Sequence, residues 1–553
     1  MGLCSEARRP ARGEIALAPR FTDAWLAGEA RARALLPLDP WKPADRARAV
    51  GAAAARPVRA EVMAALAAIA GRAQPSDARR RNLDALAAGG AAAVLTGQQA
   101  GLWLGPLYTF YKAAHAVALA RWLSAEQGRA VVPIFWVASE DHDFAEAAEC
   151  GLPGEGAEAL MVRVATDEAG PVPMASRALG PAIDRANATL RRELDGLPHA
   201  AEVLALFEAH YRPDATWSQA FSAVLAEVFS DDGLLIVDPR EPGVLAAAAA
   251  IHRRAFDDAA PLSEALSARA AQLEAAGFDA PVHVRPGAPL SFVHPDGPAG
   301  PRYRVAPCDG GYTPVGAPER VIDRATMSRW LAEDPWRFSS SALLRPLVQD
   351  SLLPTAATVG GPGELAYLAE TTPLYEAFDR PMPLLAPRAR FRVVSARERR
   401  ICAALSLSPD DAAKPRAELL KMVGGHTRPD GLPDPDGIEE RLMDAVRGEL
   451  AGLRAAGEAL DSGLSKMATR SEAALQKRIR RLTNRYRRAL ATRDSETTAR
   501  LDRLVGALAP GGAPQERVLG LPAIAAREGL ASFKARVLAA CEPFPTRSRD
   551  LDS

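Results

Sequence analysis

Three short segments hold most of the residues whose types and spacing could do chemistry. The first runs Thr96-Gly97-Gln98-Gln99-Ala100-Gly101, continues through Gly105-Pro106 and brings in Tyr108 and Lys112. Its glycines allow close backbone approach, and Gln98 and Gln99 can each donate and accept hydrogen bonds. Gly105-Pro106 opens a helix, whose free N–H groups at the positive dipole end suit a phosphate or a carboxylate. Tyr108 and Lys112 are four residues apart and so share a helix face. An ordinary strand-to-helix turn with a surface lysine would read the same way.

The second segment is Glu140-Asp141-His142-Asp143, directly after an apolar run. Three carboxylates around one imidazole could raise the histidine pKa for acid–base work, hold a metal ion or grip a substrate amine. Adjacent acids alone are a common pattern, so no metal is assigned. His142, oriented by Asp141 or Asp143, is the candidate base; the plainer alternative is a solvated acidic loop that caps a helix at Phe144. The third segment joins Leu344-Arg345-Pro346-Leu347-Val348-Gln349-Asp350 to Val359-Gly360-Gly361-Pro362-Gly363-Glu364. A Gly-Gly-Pro-Gly turn before a helix can cradle an anionic or polar ligand, with Glu364 placed to bind an amine.

Residues 477–488 hold seven basic residues in twelve and no acid, which reads as a solvated coil face or as cross-helix ion pairing more than as an RNA site. Ser465-Lys466-Met467 has the look of the lysine-bearing loop of class I aminoacyl-tRNA synthetases, but Met467 falls on a heptad seam. No Walker A motif, dinucleotide GxGxxG after a strand or nucleophile elbow is present.

Positioning these segments requires strands and helices in alternation. Residues 91–95 and 131–138 read as buried strands, with a helical pattern over 106–124 between them, which is the unit of a parallel sheet. Residues 234–237 and 355–359 read as further strands. Both chemical loops then lie at carboxyl ends of strands, where open α/β sheets bind ligands. Gly- and Pro-rich stretches at 151–181 and 281–323 read as insertions. Residues 1–90 read as an alanine-rich helical segment packing on the core. From 437 to 508 the series Leu450, Leu453, Leu460, Leu464, Met467, then Leu475, Ile479, Leu482, Tyr486 and Leu490 is close to a heptad repeat. It fits one long coil with a stutter or a helical hairpin turning at Asp461-Ser462-Gly463.

Composition limits the function classes. With 553 residues, 48% hydrophobic and 25% charged, the chain has apolar material for more than one core, and a prior of roughly 150 residues per domain gives about three or four domains. The 68 basic residues balance 68 acidic ones, which argues against a protein that coats DNA or an anionic membrane. No run approaches the ~20 apolar residues of a membrane span, and no apolar stretch follows the N-terminal arginines as a secretory leader would require. Five scattered cysteines, Cys4, Cys150, Cys308, Cys402 and Cys541, suggest reduced thiols in a cytoplasm.

Several of these segments together resemble the bacillithiol-biosynthesis cysteine ligase family, BshC. They are Leu95-Thr96-Gly97-Gln98-Gln99, Gly105-Pro106-Leu107-Tyr108-Thr109 with Lys112, and 133–143 (PIFWVASEDHD). The match continues in order through 233–239 (GLLIVDP), 344–367 (LRPLVQDSLLPTAATVGGPGELAY) and Pro514-Gln515-Glu516-Arg517-Val518. The resemblance implies an α/β fold: a Rossmann-like parallel-sheet core over 91–395 with inserted connecting segments, a helical linker over 396–436, an α-helical coiled coil over 437–508 and a tail, 509–553, that returns to the core. It implies a ligase that joins L-cysteine to the amine of glucosaminyl malate, with ATP as the activating cosubstrate. Independently of it, the near-heptad between Leu450 and Leu490 has too much apolar surface for a solitary helix, which predicts pairing within a hairpin or between subunits, as a homodimer formed through the coil. Gln98, Gln99, Tyr108, Lys112, Gln349, Gly361 and Glu364 would bind substrate, and Asp141, His142 and Asp143 would be catalytic, with Lys112 and the Gly105 helix start holding phosphate or malate. Ala100, Trp103-Leu104 and Ser139 depart from the family pattern without removing a proposed polar group. The paired histidines of class I synthetases are missing, since the helix from Gly105 holds only His115, so ATP use rests on analogy. Rival readings are an amino-acid-activating or tRNA-linked enzyme of class I type and a non-catalytic coiled-coil scaffold.

Overall fold

Strand Ala92–Gln98 begins with four apolar residues and turns polar, whereas Val131–Val137 is apolar throughout. Runs of this kind suit strands covered on both faces. In the computed structural model, which describes residues 20–165, 172–297, 299–317, 319–426, 431–460 and 462–552, these two strands pair in parallel, with Gln98 opposite Val137. Helix Leu107–Gln127 makes the crossover between them. The full sheet is parallel, in the order Leu384–Pro387, Thr355–Gly360, Ala92–Gln98, Val131–Val137, Leu235–Val237. The chain leaves the central strand to one side first and returns later to the other. The topological switch therefore falls between Ala92–Gln98 and Thr355–Gly360, and a crevice opens there at the carboxyl ends.

Alternate residues of Val131–Val137 feed two cores, as the strand period of two requires. Phe135 and Val137 join the core that includes Phe110 and Tyr111 of the crossover helix, while Ile134 and Trp136 join one that includes Phe21, Trp25, Val62 and Leu66 of the N-terminal helices. The segment predicted as an insertion at 281–323 builds an antiparallel sheet from Ser291–Val293, Tyr303–Cys308, Gly311–Pro314 and Ile322–Asp323. Phe338–Ser340, beyond the expected end of the insertion, completes it. Its own small core contains Val293, Val305, Tyr312 and Phe338. The other insertion carries the hairpin of Glu149–Leu152 with Leu160–Arg163; its residues 166–171 lie outside the described residues.

Helices Pro435–Leu460 and Ser462–Arg493 run antiparallel, which settles the alternative in favour of a hairpin; Asp461 lies outside the described residues. The ties are Arg454 to Glu472, Thr483 Oγ1 donating to Glu439 at 2.7 Å, and Arg487 to Glu439 at 2.7 Å. Leu490 and Ala468 are buried, but Leu453, Leu460, Met467, Leu475 and Leu482 of the predicted repeat remain exposed. The tail folds back as helices Leu521–Glu528 and Leu530–Ala540 and as strand Arg549–Asp552, parallel to Phe391–Val394. A buried Arg388–Glu516 pair at 2.6 Å ties the tail to the core. His115 does the same, accepting from Ala389 N at 3.0 Å through Nδ1 and donating to Pro543 O at 3.1 Å through Nε2. Among the described residues no helix is long and apolar enough to cross a membrane. Four cysteines are free thiols, and Cys4, like the arginine-bearing start of the chain, lies outside the described residues.

Candidate active site

A cavity of about 1030 Å³ lies over the switch point, between the carboxyl ends of the parallel sheet and the inserted antiparallel sheet. Gln98, Gln99, Tyr108, Lys112, Asp141, His142, Gly361 and Glu364 all line it, so eight of the ten residues predicted from sequence converge. The strand ends bring them together: Gln98 ends Ala92–Gln98, Asp141 and His142 follow Val131–Val137, and Gly361 follows Thr355–Gly360. Gly97 permits the close pairing here, since a Cβ would stand 2.8 Å from the Trp136 carbonyl oxygen.

Lys112 does not reach into the cavity as a free cation. Its ammonium donates to Gly97 O at 2.8 Å, Gln98 Oε1 at 3.0 Å and Glu364 Oε2 at 2.6 Å, which engages all three N–H bonds. Burial pushes its pKa down, against the opposing pull of Glu364. The lysine thereby ties the two strands that flank the switch point and fixes the Gln98 amide, which in turn donates to Tyr108 Oη at 3.4 Å. Burial also raises the Tyr108 pKa, keeping the phenol protonated. On its other side Glu364 meets Arg345 at 3.4 Å, and Arg345 also donates to Tyr367 Oη at 2.9 Å and Gln349 Oε1 at 3.0 Å. Gln349 is buried and bonds Asp350; it does not line the cavity, and among the described residues it meets the site through Arg345.

The expected anion site at Gly105-Pro106 is closed. Leu107 N donates to Leu519 O at 2.8 Å, and Pro106 pairs with Gly520, so the returning tail occupies the helix start. The loop before it is held in a strained form. Trp103, Leu104 and Gly105 have φ of 49°, 71° and 67°, a region that non-glycine residues rarely adopt. Tyr211 Oη holds it, accepting from Leu104 N at 3.1 Å and donating to Gly101 O at 2.7 Å.

The acidic cluster divides its tasks. Asp143 caps the short helix Phe144–Ala147, accepting from Glu146 N at 3.4 Å, and is not among the cavity-lining residues. Asp141 points inward and accepts from Gln99, from His142 N at 2.7 Å and from Arg302 at 2.9 Å. Burial alone would raise its pKa, but Arg302 and these hydrogen bonds hold the carboxyl below its usual range. Glu140 is buried, accepts from Ser340 N at 3.1 Å, and has its pKa raised by burial. His142 Nδ1 stands 3.7 Å from Asp141 Oδ1 and instead accepts from Arg302 Nε at 2.7 Å. Burial and then the Arg302 charge lower the imidazole pKa. That reverses the rise expected from its carboxylate neighbours.

Arg302 was not legible as a site residue. It lies 161 positions from Asp141, in a Gly- and Pro-rich stretch that gave no signal beyond marking an insertion. Arg285 and Arg304 come from the same segment, and Arg517 from the tail. These three are exposed, line the cavity and have no ion pair or side-chain hydrogen bond among the described residues. Trp136 also lines the cavity, and its Nε1, which is fully buried, lacks a hydrogen-bond partner among the described residues. The lining can therefore take an anionic ligand on its arginines. Among the described residues no group of three or more His, Cys, Asp or Glu side chains is placed to hold a metal ion.

Comparison with known families and proteins agrees with this architecture. Residues 15–389 match the model of the bacillithiol biosynthesis BshC N-terminal Rossmann-like domain, and 438–544 match that of the BshC C-terminal coiled-coil domain. Similar curated proteins carry the name "Putative cysteine ligase BshC". The one from Solibacter usitatus is 32% identical over 81% of this chain and 82% of its own length. The one from Koribacter versatilis is 33% identical over 80% of each chain, and that from Salinibacter ruber is 30% identical over 87% and 86%.

Proposed function

The chain belongs to the BshC family of bacillithiol biosynthesis, and on that premise we propose that it is a ligase joining the carboxyl of L-cysteine to the amine of glucosaminyl malate. The observation that carries this reading is the cavity at the switch point, where the polar residues of three strand ends face arginines of the inserted sheet and the tail. A volume of about 1030 Å³ is at the upper end for small-molecule sites, as a reaction with more than one ligand requires. Asp141 and Glu140 supply negative charge for an amino group, while Arg285, Arg304 and Arg517 suit the carboxylates of a malate moiety or a phosphate chain.

Amide formation needs an activated carboxyl, a nucleophilic amine and donors for the oxygen that gains charge. ATP, when bound, supplies the activation. Its phosphates would be held by Arg285, Arg304 and Arg517, the cavity arginines with no ion pair among the described residues. Gln98 and Gln99 present fixed amides, Tyr108 a protonated phenol, and Gly361 a backbone free of side-chain bulk. His142 stands at the reacting end beside Asp141; Asp143 and Gln349 support the site from outside the cavity. Thiol profiling of a deletion strain tests the reading: glucosaminyl malate should accumulate without its cysteinyl product. Normal thiol levels in that strain would refute it.

The exposed apolar residues of the hairpin support a homodimer. Leu453 and Leu460 lie seven residues apart on one helix, and Met467, Leu475 and Leu482 share a face of the other. A second copy would cover this stripe. The free thiols support a reducing, cytoplasmic setting.

A further inference from the structure

We propose that Arg302, carried in by the inserted sheet, is a positioning residue that fixes His142 as its neutral Nε2–H tautomer. His142 then takes part in amide formation as a hydrogen-bond donor to developing negative charge and not as a base. The second half of this proposal rests on the ligase reading; the first half does not.

The geometry leaves one arrangement of protons. A guanidinium in a protein is always protonated and has only N–H donors. Arg302 Nε lies 2.7 Å from His142 Nδ1, so the bond forms only if Nδ1 offers its lone pair. The ring proton of the neutral imidazole must then sit on Nε2. The second arm of the guanidinium donates to Asp141 Oδ1 at 2.9 Å, and Gln99 donates to the other oxygen of that carboxylate. The Phe292 ring lies 4.5 Å below the guanidinium carbon, and only 9% of the Arg302 side chain is exposed. The clamp is thus held on three sides.

In an ordinary carboxylate–imidazole dyad the acid accepts from Nδ1–H and strengthens the base at Nε2. Here the arginine has come between the two. Asp141 Oδ1 is 3.7 Å from Nδ1 and is engaged by Arg302 and by the backbone N–H of His142. The groups facing the imidazole are Asp141 and Asp143 from its own loop, and Arg302, Arg304 and Phe292 from the inserted sheet. A cation bound directly to Nδ1 disfavours protonation, in line with the lowered pKa. His142 lines the cavity, and its Nε2 has no partner among the described residues. That N–H is left for the ligand.

As the amine nitrogen bonds to the activated carboxyl carbon, the C=O π pair moves onto the carbonyl oxygen, where Nε2–H stabilises it. The pair returns as the activating group leaves with its bonding electrons, and the surplus amine proton passes to water.

Imidazole nitrogen spectra of the full-length chain labelled with ¹⁵N-histidine test the tautomer, the His142 signals being those lost in His142→Gln. The expected result is a pyridine-like Nδ1 and a pyrrole-like Nε2 at neutral pH, giving way to mixed tautomers in Arg302→Met. A pyrrole-like Nδ1 in the wild type would overturn the proposal whatever the substrate proves to be. For the donor role, His142→Gln places an amide N–H near the Nε2 position and should stay within about tenfold of wild-type turnover. His142→Asn, whose amide sits near Nδ1, should lose ~10²–10³-fold, the usual effect of deleting one oxyanion donor. Equal, deep losses in both folded variants would overturn the donor role. No ligase turnover in the wild type, with the predicted tautomer intact, would instead fault the assigned reaction.

Discussion

Replacing Lys112 with methionine should damage the fold before it damages ligand binding. Lys112 is 6% exposed and its partner Glu364 12%, and they meet at 2.6 Å. Removing one member of a buried pair costs about 3–5 kcal/mol, because the remaining charge stays desolvated without its counterion. Glu364 retains Arg345 at 3.4 Å, which places the expected loss near the lower end, about 3 kcal/mol. The double variant Lys112→Met with Glu364→Gln removes both charges at similar volume and should recover about 2 kcal/mol of this, within the range of coupling between residues in contact. Equilibrium urea unfolding followed by tryptophan emission can read the cycle, since Trp136 lines the same cavity. If Lys112→Met leaves stability within about 0.5 kcal/mol, as a surface change would, yet abolishes binding of an anionic substrate, the lysine contacts ligand and its structural assignment is wrong.

Acidification should destabilise the protein through buried histidines. Burial lowers the pKa of His115 and His252 to about 4 and that of His294 to about 3, against 6.5 for a free imidazole. The unfolded chain therefore binds protons that the native state refuses, so stability falls as pH drops through 6.5, and for His115 the loss is complete near 4, about 3 kcal/mol in all. His115→Gln should flatten a plot of melting temperature between pH 7 and 5; an unchanged slope counts against the assignment. Leu475→Asp combined with Leu482→Asp should convert a dimer to monomers in light scattering, and an unaltered mass, or a monomeric wild type, would remove the hairpin from the interface. Arg304→Ala and Arg517→Ala should each weaken one anionic ligand by about 1.5–3 kcal/mol in calorimetry against glucosaminyl malate and against ATP. Unchanged affinity for both ligands in both variants would exclude the arginines from recognition.

The parallel sheet was legible because its information is local. A run such as 131–137 has no polar residue, so it must be covered on both faces, and the abrupt Ser139-Glu140-Asp141-His142 that follows must face a surface or a cleft. The same holds for Gln98 and for Gly361. Gln98, Gln99, Asp141, His142 and Gly361, which end or follow such strands, converge on one cavity. The heptad pattern also announced paired helices, but an apolar repeat states only that a face is covered, not by what. Leu490 is buried within the monomer, whereas Leu482, eight residues earlier in the same series, is exposed.

The chain by itself thus determined which segments form the sheet, where their polar ends emerge and which side chains stand there. Tertiary structure alone decided what each polar group touches. Lys112 looked like a free cation and is engaged by Glu364, 252 positions away. The helix start at Gly105 looked open to an anion and is closed by Leu519 from the tail. His142 looked like a base supported by Asp141, but Arg302 from the insertion reverses the hydrogen bond at Nδ1. Burial and periodicity are properties of neighbours along the chain, so they leave a trace in its sequence. Hydrogen-bond partners hundreds of residues apart meet only when separate layers pack, and a charge or tautomer is set by the partner that arrives.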